Sequence, residues 1–276
     1  MDSGEPVRVI VRDPARLPTR VRESVDVVCG SHGDTDVVNQ AFEGADTVFW
    51  LVPPDPRSES VRAAYVDFTL PACEAFRRHG VSRVVGVSAL GRGVAENAGL
   101  VSASLAMDDL IAGTGVHYRA LALPSFMDNI LRQAEAIKRL GRFFGPISED
   151  RALPACATRD IAAVAAGLLL DRSWSGVDSV AVLGPEDLSF NDMARIMSEV
   201  LGKPVQYIRI PGEAYRARMI ENGMSEAMAQ GMLDMAVAKD NGIDTALPRT
   251  PESSSPTSFR EWFKEVAVPL LTAKAA

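Results

Sequence analysis

A chain of 276 residues with 47% hydrophobic side chains can bury a substantial core, as one large domain or as a domain with an appended lobe. Its net charge of -7, with acidic and basic residues interspersed, argues against nucleic acid, which needs a basic face. Cys29, Cys73 and Cys156 suggest neither a disulfide framework nor a zinc site, and the longest apolar run, residues 161–170, falls short of the ~20 a membrane span requires; a cytoplasmic protein with reduced thiols is expected.

In chain order, Asp2-Ser3-Gly4 reads as a helix ending, since glycine is the usual left-handed residue there, and a strand over residues 7–11 follows at once. Further strands are expected at 25–29, 47–52, 83–87 and 117–123, with helices near 35–42, 60–79 and 104–112. This alternation has the spacing of βαβ units and predicts a parallel sheet covered on both faces. TVFWLV, continuously apolar, suits a central strand. The helix over 60–79 presents Val61, Ala64, Tyr65, Phe68, Ala72, Ala75 and Phe76 on one face, with Pro71 expected to kink it.

After Leu123 longer helices take over, with two isolated strands at 179–184 and 205–211. The expected division is residues 1–124 and a smaller α+β lobe, 125–276, partly interleaved with the first part. Ser189 is placed to cap the helix that Gly202 and Pro204 stop, and Ser258 with Glu261 to form a capping box for the last helix. The Met-rich segment from Glu213 to Ala236 suits a plastic core or an adaptable face.

VRVIVRDPARLP, AFEGADTVFWLVPP, GVSRVVGVSALG, GVHYRALALPSFMDN, RDIAAVAAGLLLD, LGPEDLSFNDMARIMSEVLGKPV and PTSFREW occur in the order they have in NmrA-like proteins. The chain therefore resembles this branch of the atypical short-chain dehydrogenases/reductases from Val7 to about Trp262. The resemblance implies a Rossmann-type doubly wound parallel sheet that binds NAD(P)(H), with a smaller C-terminal lobe closing a substrate cleft. In that family a strand, a glycine-rich turn and a helix, roughly 20 to 25 residues, precede the strand that VRVIVR matches, and here they are absent. The turn is where backbone amides meet the pyrophosphate, so the main source of dinucleotide affinity is absent with it. GSHGDT and SALGRG, the other glycine pairs after strands, align with different family loops. The missing strand is the central one, which leaves three outcomes: the sheet halves close up, another chain fills the slot, or the start of a longer protein is assigned too late.

The resemblance also implies site residues. Arg12, assisted by Arg16, stands where a basic group suits the 2′-phosphate of NADP(H) better than the ribose of NAD(H), and Ser31 stands where the family often carries Asp near the adenine. Leu51, Val52 and Pro53 align with the loop under the nicotinamide. Ser88 matches a position that often holds a hydroxyl beside the substrate, and Phe126, Met127 and Asn129 align with the cleft loop. Between Gly91 and Thr114 there is no Tyr-Lys pair; Asp108 and Asp109 occupy the region and read as surface charge. His32 and His117 lack partners for a metal. The leading expectation is an NAD(P)H-linked oxidoreductase scaffold acting on quinones or other carbonyl or imine compounds. The alternatives are a non-enzymatic NAD(P)-sensing or partner-binding regulator, and an inactive remnant. The expected partner is a small-molecule substrate or a sensed dinucleotide, with oligomerisation left open.

Overall fold

The computed structural model describes residues 3–94 and 96–272. Met1 and Asp2, part of the expected helix ending, lie outside them; Gly4 does adopt the left-handed conformation, at φ 74°.

Strand β1 (Arg8–Val11) leads through the single-turn helix α1 (Thr19–Arg22) to β2 (Asp26–Cys29), its parallel partner. Asp34 accepts bonds from the Asp36 and Val37 amides and so starts α2 (Thr35–Phe42). β3 (Thr47–Trp50), α3 (Phe68–His79), β4 (Arg83–Ala89), α4 (Leu100–Ala112) and β5 (His117–Leu123) continue the alternation. The second half contains β6 (Ser125–Phe126), α5 (Ala134–Leu140), β7 (Arg142–Gly145), β8 (Leu153–Cys156) and α6 (Thr158–Leu170). It continues with β9 (Val177–Ala181), β10 (Asp187–Leu188), α7 (Phe190–Leu201), β11 (Gln206–Arg209), α8 (Gly212–Glu221) and α9 (Glu226–Asp240). Helices α10 (Phe259–Trp262) and α11 (Val268–Thr272) close it.

The main sheet has the order β3-β4-β5-β9, all parallel. The segment expected as an isolated strand near residue 179 is instead its fourth strand, pairing Tyr118 with Val177 and Ala122 with Ala181. The other expected isolated strand, β11, pairs in parallel with β7.

Among the described residues, β1 bonds only to β2 and β3 only to β4, so the parallel array is divided between β1 and β3. The halves do not close up by pairing. They are held together by a shared apolar core in which Ile10 and Val28 meet Val48, Trp50, Phe42 and Phe76. Phe42 and Phe76 stack with centroids 5.2 Å apart, and Trp50 meets Phe76 edge-on at 6.2 Å. His32, just after β2, adds a polar tie: its Nε2 lies 2.9 Å from the Leu51 carbonyl oxygen, just after β3, and its ring is wedged between Trp50 and Phe68.

Pro71 lies within α3, and a π-helical turn, Ala63–Asp67, precedes it. The proline lacks an amide and its ring crowds the carbonyl four residues back, which is Asp67, so the wider turn absorbs the misfit. A second π turn, Phe263–Ala267, precedes Pro269 in the same way. Ser189 and Asp192 form a full capping box at the start of α7.

Two further cores lie in and beside the second half. Phe259, Trp262 and Phe263 pack with Met193, Met197, Ile137 and Phe143. Val85 and Leu121 of the main sheet pack with Cys156, Ile161, Ala165 and Trp174, so this core belongs to both halves of the chain. Each of these three cores contains one tryptophan.

Candidate functional site

On the face of β4 and β5 that packs against α4, small residues stand beside one large one, Tyr118. Gly86 has no side chain, and a Cβ there would collide with the Tyr118 hydroxyl, so the phenol of Tyr118 lies across the glycine and reaches α4. There it donates to Asp108 Oδ1 at 2.6 Å. Ser88, near the C-terminal end of β4, donates to Asp108 Oδ2 at 2.5 Å. Arg92, in the loop after β4, reaches Asp108 Oδ2 at 3.3 Å and Asp109 Oδ1 at 2.7 Å. Ser88, Asp108 and Tyr118 are buried; Arg92 is half-exposed and stands between them and solvent.

Asp108 is thus not surface charge. Its side chain is 3% exposed, and the α4 face it shares with Val101, Ser104, Met107 and Ile111 is the buried one. Asp109 is exposed, as expected. Burial raises the Asp108 carboxyl above the usual carboxylate range, against the opposing bonds from Ser88 and Tyr118 and the charge of Arg92. Burial, then the charge of Asp108, drives the Tyr118 phenol well above its ordinary value. A small cavity of about 50 Å³ adjoins the cluster, lined by Ser88, Arg92, Asp108, Leu90, Ser179 and Leu247. A larger open hollow of about 410 Å³ between α7 and β11 has its main polar side chains engaged elsewhere: Arg195 with Asp192 and Glu199, Asn191 with Asp150, and Tyr207 with the Ile147 carbonyl.

The other expected site residues are dispersed over several elements. Arg12, after β1, donates to Ser31 Oγ at 3.5 Å, and Ser31 Oγ also accepts from the Gly33 amide. Arg16 is exposed and pairs with Asp13. After β3, Leu51 and Pro53 are exposed while Val52 is buried. Met127 is buried in the second core, Phe126 packs beside the third, and Asn129 is exposed. No group of three or more potential metal ligands occurs among the described residues.

A dinucleotide is implied by the fold, and at the ends of β1 and β2 Arg12 puts a cationic fork beside the Ser31 hydroxyl, a donor pair chemically suited to a phosphate monoester. Gly30, Gly33 and Gly91 form no open cradle, whereas the space beside Gly93, at φ 73°, is open. A Cβ at Gly30 would meet Val37, one at Gly33 would meet Phe68, and one at Gly91 would meet Ile243, so close packing accounts for all three.

The NAD(P)H-binding family matches residues 1–172 and the NmrA-like family matches residues 116–263. The NAD(P)H azoreductase of Xenophilus azovorans is 28% identical over 253 residues, covering 90% of this chain and 84% of the relative. The quinone oxidoreductase 2 of Escherichia coli is 22% identical, over 84% of this chain and 78% of the relative. Its fold is shared by a structure of the NADPH-dependent quinone oxidoreductase of Escherichia coli complexed with NADPH, with a TM-score of 0.77, 19% identity, and 98% and 93% of the two chains covered. The Citrobacter sp. triphenylmethane reductase complexed with NADP(H) gives a TM-score of 0.74 at 18% identity, over 92% and 88%. No helix among the described residues is long and apolar enough to cross a membrane. With both families matched over more than half its length, and with NAD(P)H-dependent reductases among its relatives, the chain belongs to the NmrA-like family and has that family's NAD(P)H-linked oxidoreductase scaffold.

Proposed function

We propose that the protein is an NADPH-dependent reductase of a small oxidised acceptor, a quinone, azo, carbonyl or imine compound. The observation that carries this reading is the match along 90% of the chain to an NAD(P)H azoreductase. When bound, the dinucleotide supplies the hydride. Arg12 and Ser31, with Arg16 nearby, would hold the 2′-phosphate, and Leu51, Val52 and Pro53 would border the nicotinamide side. Ser88 would face the acceptor, and Phe126, Met127 and Asn129 would shape the far side of its cleft. In this reading residues 1–124 hold the dinucleotide and residues 125–276 the substrate. Three free cysteines support a reducing, cytoplasmic setting.

The preference for NADPH is tested by titrating NADPH and NADH into the wild type and R12A. A charge-assisted bond to phosphate contributes ~1.5 to 3 kcal/mol, so R12A should weaken NADPH binding about tenfold or more and leave NADH binding nearly unchanged. Equal losses for both dinucleotides would refute the assignment of Arg12. Absence of NADPH oxidation with a panel of quinones and azo dyes, despite binding, would refute the reductase.

A further inference from the structure

A reductase must supply a proton as well as position a hydride, and the chain has no Tyr-Lys pair on α4. What it has at that helix is a buried acid bonded to the one hydroxyl that the resemblance places beside the substrate. Asp108 Oδ2 and Ser88 Oγ are in direct hydrogen-bond contact, so a protonated carboxyl can pass its proton to Oγ as Oγ gives up its own. Oδ1 is occupied by the Tyr118 hydroxyl, which fixes the carboxyl plane, and Oδ2 is shared by Ser88 and, at 3.3 Å, Arg92.

We propose that Asp108 is the positioning residue and proton source for Ser88, whose hydroxyl protonates the reduced acceptor. The inference rests on the reductase reading above. As the acceptor gains the hydride and is reduced by two electrons, its oxygen, its imine nitrogen or the second nitrogen of an azo group takes up the electron pair of the broken π bond. That atom takes the proton of Ser88 Oγ–H, and Oγ takes the proton of the Asp108 carboxyl. Asp108 is left as a carboxylate beside the Arg92 guanidinium, which stabilises it until solvent, entering past Arg92, returns a proton. The groups facing Asp108 are few: Arg92 from the loop after β4, Tyr118 from β5, and its helix neighbour Asp109, which shares Arg92, with the Cys73 thiol of α3 acting on Tyr118. Arg92 favours the ionised carboxyl, while burial, the larger influence, favours the neutral one.

The test uses the full chain as D108N, S88A and the double variant. In D108N the amide can still accept from Tyr118 and donate to Ser88, so the fold should be kept. Each single variant should lower kcat about 100-fold, with KM and NADPH affinity unchanged, and the double variant should lose no more than either, because the two groups act in series. In wild type, kcat should fall on the alkaline side as Asp108 loses its proton, and D108N should abolish that limb. Independently of turnover, infrared spectra of the dinucleotide-free protein should show a buried carboxylic-acid C=O band that D108N removes. A kcat in D108N within threefold of wild type, or an acid band that survives the substitution, would overturn the relay. A wild type that shows the band but turns over no acceptor would overturn the reductase reading instead.

Discussion

At the scale of single residues, Asp108 links the chemistry to stability. Burial holds its folded carboxyl above the ordinary carboxylate range, so between the unfolded and the folded values the folded protein binds more protons than the unfolded one. Stability contributed by this group is present at low pH and is lost as pH rises through the folded value. Urea midpoints measured against pH should therefore decline more from acid to neutral pH in wild type than in D108N; parallel curves would show that folding leaves the Asp108 carboxyl unshifted. Asp108 was legible in the sequence by one signal: its spacing from Val101, Ser104 and Ile111 puts it on the apolar face of its helix, and Asp109 off it. The Tyr118 contact was not legible, because it requires the register that sets Tyr118 opposite Val84 and so lays its ring diagonally over Gly86 of the neighbouring strand.

At the scale of elements, β1 and β2 form a small, half-exposed pair, while β4 and β5 are flanked by strands on both sides. Hydrogen exchange should be fast at residues 8–11 and slow at 83–89 and 117–123, and equal protection would show that the divided array behaves as one unit. His32 makes the junction pH-sensitive. Burial lowers its pKa below 6.5, so the unfolded chain takes up a proton first as pH falls, and stability is lost below about 6.5. Protection of β1 and β2 should weaken below that pH and cease to depend on it in H32N. The alternation of strands and helices was readable because βαβ spacing and the caps at Asp34 and Ser189 are local signals. The membership of β9 was not, since its partner lies more than fifty residues away and nothing local specifies it.

At the scale of the whole molecule, the three cores are not equally separate. The core around Trp174 takes side chains from β4 and β5 and from α6 and β8, so it couples the two halves of the chain. The sequence left the centre of the sheet open among three outcomes, and that aromatic stacking spans the division between β1 and β3 was not legible in it. The distribution of tryptophan has a practical side. Trp50, Trp174 and Trp262 are the only indoles, and each reports from a different core. The protein therefore carries three fluorophores that resolve its unfolding by region: variants retaining one at a time should give superimposable urea transitions if the shared core enforces cooperativity, and an early Trp262 transition would identify the second core as an autonomous unit.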